Sequence, residues 1–344
     1  MLVKRDRGTD WLALADAVLA GAEVTRADAL AMLETPDAEL LSLLQAAYRI
    51  RYHHYGNRVK LNMIINAKSG LCPEDCAYCS QSVISEAPVA KYPLLNRETL
   101  LAGAAEAQAR KATTYCIVMS GRRPSDREVE QVAAAVEEIR RTTNLRICCC
   151  LGLLTPAQAE RLAQAGVDRY NHNLNTSQAH YANICSTHTY QDRIETVQQS
   201  RASGMSPCSG AIFGMGESLE ERVEIAFALR ALDVDSIPCN FLNPIPGTPL
   251  GDTPRLSPQA CLKILAMMRF VNPSKEIRIA GGREVNLRSL QPLGLYAANA
   301  IFVGDYLTTD GQAPDADWAM IADLGFEIEG DGEGVAEVLS SMAR

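Results

Sequence analysis

The sequence predicts an α/β protein, a (β/α)8 TIM-type barrel with an N-terminal helical extension. Three observations carry that prediction. From residue 61 onward, short β-rich runs alternate with long amphipathic helical runs. Eight such β-rich runs can be counted. The helical runs between them carry start and stop signals, so each strand is followed by a helix, the pattern of a parallel barrel. A chain of 344 residues has the length of two domains, but α/β barrels of this size are commonly one.

The elements follow in order. Apolar periodicity predicts helices over 10–22, 25–34 and 36–52, and residues 1–55 are read as the extension. The barrel is read over 56–325, with strands at 61–66, 114–119, 145–151, 168–174, 206–212, 235–241, 276–281 and 299–304. Thr155-Pro156 opens one helix that stops at Gly166, another runs from Thr189 to Gly204, and Ser257-Pro258 opens a third that stops near Asn272-Pro273. Ser or Thr at the cap, Pro in the first turn and Gly after the last is the expected asymmetry. Residues 326–344 read as an acidic, Gly-rich tail ending in a short helix.

Composition narrows the class. A hydrophobic fraction of 47% and a charged fraction of 22% suit a soluble globular chain. A net charge of -8 argues against a general nucleic-acid-binding surface. The N-terminus has charges on both sides of a short apolar stretch, so it reads as neither a secretory signal nor an Arg-rich transit peptide. No run approaches the ~18 apolar residues of a membrane span. Eleven cysteines, an odd number in a long chain, argue against a secreted disulfide scaffold and for a reduced, cytoplasmic setting with metal–thiolate chemistry.

The sharpest motif is Cys72-Pro-Glu-Asp-Cys76-Ala-Tyr78-Cys79, spaced C-x-x-x-C-x-x-C directly after the first predicted strand. Loops after strands lie at the mouth where barrel active sites sit. Three thiolates in one short loop can hold three corners of a [4Fe–4S] cluster and leave one iron open. A structural zinc site is the plainer reading, but zinc sites usually take four ligands, and no second pair of the form C-x2–4-C stands outside the loop. The spacing, with an aromatic just before the last cysteine, resembles the signature of the radical S-adenosylmethionine (SAM) enzymes, in which the open iron chelates SAM.

A second set is dispersed over strands. Cys116, Cys148 and Cys208 lie on the second, third and fifth. Arg278 alternates with Ile277 and Ile279, so if the isoleucines face the helices, Arg278 faces the barrel axis and needs an anionic partner. Three thiolates on a second cluster would provide one. Taken singly, each cysteine reads as a small core residue. Cys148, Cys149 and Cys150 are consecutive, and Cys148 and Cys150 share a face. On the fourth strand, Asn171, Asn173 and Asn175 recur at period two, with Tyr170, His172 and Leu174 opposite. That amide stripe, joined by Asn240 on the sixth strand, calls for a polar ligand or for a self-satisfied network. His172 is read as packing between strand and helix. Arg193 suits a carboxylate ligand or open solvent equally well.

These residues sit in longer segments, CPEDCAYCSQS, GVDRYNHNLNTS, SPCSGAIFGMGE, DSIPCNFLNPIPGTPL and EIRIAGGREVN through YAANAIFVGDYLTT. Together they closely resemble the biotin synthase family of radical SAM enzymes. The resemblance implies sulfur insertion into dethiobiotin by a sulfurtransferase. It implies a [4Fe–4S] cluster on Cys72, Cys76 and Cys79, and an auxiliary cluster, [2Fe–2S] in the family's best-known form, on Cys116, Cys148, Cys208 and Arg278. For SAM it implies Tyr78 near the adenine, Arg193 on the carboxylate, and Asn173 and Asn175 at the ribose. Asn171 or Asn173, with Asn240, would hold dethiobiotin. The family pattern has an aspartate where this chain has Asn175, which removes a charge there and keeps an acceptor. Cys150 is a candidate extra ligand, which leaves the auxiliary cluster's nuclearity open, along with Arg278 as ligand or as partner. A homodimer and a flavodoxin- or ferredoxin-type reductant are also implied. Other radical SAM barrels, such as a hydrogenase-cofactor maturase or a methylornithine-forming mutase, are the alternative. A simple Fe–S electron carrier would need no deep polar pocket.

Overall fold

The computed structural model describes residues 9–70 and 72–330. Three helices come first: α1 (Trp11–Leu19), α2 (Arg26–Glu34) and α3 (Leu40–Tyr55). Asp10 and Thr25 cap the first two through their side chains, and Thr25 forms a capping box with Asp28. α3 packs on α1, and α2 and α3 pack on the barrel helix α9 (Pro258–Val271).

The strands are β1 (Arg58–Lys68), β2 (Thr114–Met119), β3 (Arg146–Cys150), β4 (Arg169–Asn171), β5 (Ser206–Cys208), β6 (Ala211–Phe213), β7 (Ser236–Phe241), β8 (Glu276–Ile279), β9 (Ala300–Phe302) and β10 (Glu327–Ile328). The helices among them are α4 (Arg97–Ala109), α5 (Asp126–Thr142), α6 (Pro156–Gln164), α7 (Tyr190–Ala202), α8 (Leu219–Ala231), α9 (Pro258–Val271), α10 (Arg283–Leu287), α11 (Gln291–Gly294) and α12 (Pro314–Asp323). β1, β2, β3, β4, β5, β7, β8 and β9 pair in that order, all parallel, and β9 closes onto β1. This is the eight-strand barrel that the sequence predicts. Thr155, Thr189 and Ser257 cap α6, α7 and α9, as expected.

Three details depart from the expected elements. The fourth run is a strand only over Arg169–Asn171, and the chain then turns until Asn175 adopts φ +69°, a left-handed conformation that Asn tolerates better than most residues. The fifth run is broken into β5 and β6, both paired with β7. The break lies at Gly210, where a Cβ atom would meet the Pro238 carbonyl oxygen at 1.9 Å. Glu327 and Ile328, read as tail, pair with Arg58 and Val59 at the start of β1. The helix expected near the C-terminus lies outside the described residues.

Strand alternation sorts the side chains into two environments. Leu61, Tyr115, Ile117, Ile147, Ile237, Ile277 and Ile301 belong to the main apolar core, which the strands share with the helices. The opposite positions, Lys60, Asn62, Cys116, Cys148, Arg169, Asn171, Cys208, Ser236, Glu276 and Arg278, meet around the barrel axis. Barrel interiors are usually filled by branched apolar residues. This one is polar, and a polar interior must be satisfied by its own network or by a ligand.

Candidate active site

A cavity of about 370 Å³ opens at the C-terminal mouth of the barrel. Cys72, Cys76, Tyr78, Cys79, Cys116, Cys148, Cys150, Asn171, Asn173, Asn175, Arg193, Asn240 and Arg278 all line it. Cys208 is fully buried just behind the wall, where Asn171 Nδ2 donates to its sulfur at 3.2 Å. Cys149 faces the other way, into the main core.

The loop after β1 brings its three thiols to the mouth. Backbone amides of Glu74 and Gly121 point at the Cys72 sulfur, and those of Gln81 and Ser82 at the Cys79 sulfur. Burial still raises both thiols, Cys79 to about 11. Backbone N–H dipoles aimed at sulfur stabilise thiolate, the form that results when a thiol loses its proton on binding iron. The donor set therefore fits a [4Fe–4S] cluster with one iron open. Cys185, from the segment between β4 and α7, brings its sulfur to 3.8 Å from that of Cys76.

Deeper in the barrel, Cys116 and Cys148 are register partners on β2 and β3. The Cys148 thiol reaches both Cys116 and Cys208. Contact with Cys148 lowers Cys208 to about 6 against the opposing effect of burial, with Arg278 and Arg169 helping. Cys116 is lowered by the same causes, chiefly its Cys148 contact and then Arg278. Beneath the trio, Glu276 is contacted by Lys60 at 3.2 Å, Arg169 at 2.7 Å and Arg278 at 2.6 Å. Ser236 donates to the same carboxylate at 2.8 Å. Three buried cations around one carboxylate leave a surplus of two positive charges under the thiols, which an anionic iron–sulfur cluster would balance. Arg278 Nε is buried with no partner, and the guanidinium stacks on Phe302 at 5.0 Å. Arg278 thus faces inward as expected, but it has a carboxylate partner, Glu276, that the sequence reading missed. Glu276 sits two residues before it on the same strand face, so strand alternation carried the signal.

The amides between the two thiol sets are partly satisfied by the protein. Asn171 Nδ2 donates to Asn173 Oδ1 at 3.0 Å, and Asn173 Oδ1 also accepts from Gly210 N at 3.0 Å. Asn240 accepts from Gly281 N at 2.9 Å and donates to Ala211 O at 3.1 Å. A carboxamide has two donors and two lone pairs, so Asn240 keeps one of each for a ligand. The unbroken strand stripe expected for Asn171, Asn173 and Asn175 is not formed, since only Asn171 is in β4, yet all three reach the cavity. His172 is buried, also borders the cavity, and is held well below the usual imidazole range by burial and by nearby Arg193 and His188.

Arg193, in the first turn of α7, is 6% exposed, which removes the solvated alternative. Its Nε donates to Tyr181 Oη at 2.5 Å and its Nη1 to the Asn173 carbonyl at 2.8 Å. In its satisfied orientation, Asn175 Oδ1 accepts from Tyr78 Oη at 2.6 Å and from Arg193 Nη2 at 3.1 Å. The fork edge of Arg193 is thus occupied by an amide oxygen, in the place that a carboxylate would take by displacing it. His188 and Glu74, which sequence reasoning also missed, stand behind this arginine. Residues 306–309 roof the cavity, held by a Ser80 Oγ–Thr308 Oγ1 hydrogen bond of 2.7 Å and by Asn66 Nδ2 on the Leu307 carbonyl at 2.9 Å.

Comparison with known proteins decides the family. Residues 68–229 match the radical SAM superfamily and 238–327 the biotin and thiamin synthesis associated domain. The chain is 66% identical over 320 residues to a biotin synthase of Bacillus cereus (strain G9842), covering 93% of this chain and 96% of that one. The chain belongs to the biotin synthase family. It is accordingly a radical SAM sulfurtransferase of biotin synthesis, and membership of the family implies a [4Fe–4S] cluster and SAM. A biotin synthase of Bacillus thuringiensis (strain Al Hakam) is 65% identical over the same share of each chain. Among solved structures, methylornithine synthase superposes with a TM-score of 0.82 at 19% identity, covering 94% of this chain and 99% of that one. An [FeFe]-hydrogenase maturase from Carboxydothermus hydrogenoformans gives 0.77 at 17%, covering 92% and 79%. At such identities these two share the family's barrel and nothing more is drawn from them. No helix among the described residues is long and apolar enough to cross a membrane.

Proposed function

We propose that the chain inserts sulfur into dethiobiotin to form biotin, with Cys72, Cys76 and Cys79 holding the [4Fe–4S] cluster and Cys116, Cys148 and Cys208 holding an auxiliary iron–sulfur cluster against Arg278. The observation that supports this most is the placement of two thiol sets at one cavity, one at its mouth and one over a floor with surplus positive charge. When bound, the upper cluster with SAM supplies radical hydrogen abstraction and the lower cluster supplies sulfur.

The protein's own residues bind, orient and shield. Arg193 would hold the SAM carboxylate, Tyr78 would lie beside the adenine, and Asn173 and Asn175 would serve the ribose. Asn171, Asn173 and Asn240 hold dethiobiotin between the two thiol sets through their spare donors and acceptors, so that the reacting carbons face both. The 306–309 roof excludes water from the reacting centre. Three thiols with Arg278 suit a [2Fe–2S] cluster, while Cys150, on the cavity wall above Cys148, offers a fourth thiol for a larger one. The same reading carries a flavodoxin- or ferredoxin-type electron donor, a homodimer, a cytoplasmic setting, and the 1–55, 56–325 and 326–344 division of the chain.

Anaerobically reconstituted protein given dethiobiotin, SAM and a one-electron reductant should release biotin. 5′-Deoxyadenosine without biotin would overturn the reading in favour of another radical SAM reaction.

A further inference from the structure

We propose that His188 is a positioning residue, joining the cysteine loop to Arg193 through Glu74. The inference rests on the reading of Arg193 as the anchor of the SAM carboxylate.

A guanidinium can only donate hydrogen bonds. Arg193 Nη2 lies 2.6 Å from His188 Nε2, so Nε2 is the acceptor and the ring proton sits on Nδ1. Nδ1 in turn contacts the Glu74 carboxylate, and Glu74 lies between Cys72 and Cys76. Glu74, His188 and Arg193 are 5%, 7% and 6% exposed, so the chain of contacts runs through the interior, away from competing water. Glu74 is itself fixed by Thr187 Oγ1, which donates to it at 2.7 Å.

The imidazole does something that a carboxylate on Arg193 could not. A carboxylate would orient the guanidinium but cancel its charge. A neutral ring orients Arg193 and leaves its positive charge available to an incoming carboxylate, while the balancing anion stays one ring away. Because Glu74 belongs to the loop that carries the three thiols, the same contacts set the cluster loop and the SAM anchor in register.

Cys76, Cys185 and His188 also converge, with ligand atoms within 4.8 Å of one another. That trio does not make a second metal site. His188 Nδ1 carries the proton given to Glu74, and Nε2 faces a guanidinium, so neither nitrogen offers a lone pair to a cation.

The test compares His188→Gln with His188→Leu in reconstituted full-length protein, with iron and sulfide content measured alongside SAM affinity. Gln can accept from Arg193 and donate to Glu74; Leu fills similar volume and does neither. The expected result is SAM affinity about tenfold weaker in His188→Leu, the effect of losing a charged hydrogen bond. His188→Gln should stay within about threefold of wild type, and the KM for dethiobiotin should not change in either. Equal SAM affinities in the two variants, both normal or both lost, overturn the relay. Arg193→Ala is the separate control: unchanged SAM affinity there would sink the anchor reading itself.

Discussion

The two thiol sets hold sulfur in opposite ways. At the mouth, Cys72, Cys76 and Cys79 come from one loop, and the groups aimed at two of those sulfurs are backbone amides from the same loop and its neighbour. Inside the barrel, Cys116, Cys148 and Cys208 come from three strands, and the balancing charge comes from the side chains of Lys60, Arg169 and Arg278 on three others. The first site is a local device carried by one loop. The second exists only when the register of the whole barrel is correct, and its electrostatics depend on buried ion pairs whose desolvation must be offset. On the proposed assignment, an open iron would meet SAM at an accessible mouth and a sulfur source would stay fixed and shielded, and each scaffold suits that task.

The largest effects should come from separating the two halves. Cys76→Ala should abolish both 5′-deoxyadenosine and biotin formation. Cys148→Ala should abolish biotin while SAM is still cleaved in the presence of dethiobiotin. Chromatographic assay of both products checks this, and a Cys148→Ala enzyme that still makes biotin would erase the distinction between the sites.

A smaller effect should come from the floor. Burial alone would raise the Glu276 carboxyl, but Arg278, Arg169 and Lys60 outweigh it and hold it well below the usual carboxylate range. A carboxyl lowered on folding adds stability above its unfolded value, about 4.3, and loses that contribution as pH falls toward its folded value. Glu276→Gln leaves three cations without their anion and should cost about 3–5 kcal/mol at neutral pH. Its stability should also decline less on acidification below about pH 4. Denaturant unfolding at a series of pH values measures both. Equal neutral-pH stability would show that the barrel tolerates the surplus charge without Glu276.

The contrast also explains what could be read from the sequence. The mouth site was legible because its chemistry is written in eight consecutive residues, Cys72 to Cys79. The deep thiols and Arg278 were legible through strand alternation, which also set Ile277 and Ile279 toward the helices. Arg169 and Lys60 were not, because their meaning comes from meeting Glu276 across the barrel axis rather than from any spacing along the chain. His188 and Glu74 escaped for the same reason: they are 114 positions apart and meet only when the loops after β1 and β4 fold together. The breaks at Asn175 and Gly210 were hidden because a run of β-forming residues does not reveal where a neighbouring backbone comes too close.

Cys150 gives the finest test of the comparison, because it lies between the two scaffolds. It follows Cys148 by two residues on the same strand face, lines the cavity and is partly exposed to it. Burial pushes its thiol up to about 12, and Cys208 and Cys116 act in the same direction, so on its own it is a protonated, unreactive group. Cys148, by contrast, contacts both Cys116 and Cys208, which joins those three thiols into one set. The proposed ligand group of three cysteines and Arg278 rests on that contact set, with Cys150 one position further along the strand face. Cys150→Ala should therefore leave iron and sulfide content and the Mössbauer spectrum of the anaerobic protein unchanged. A changed auxiliary-cluster spectrum in that variant would instead make Cys150 a ligand and the cluster larger than [2Fe–2S], moving Arg278 from ligand to counter-charge.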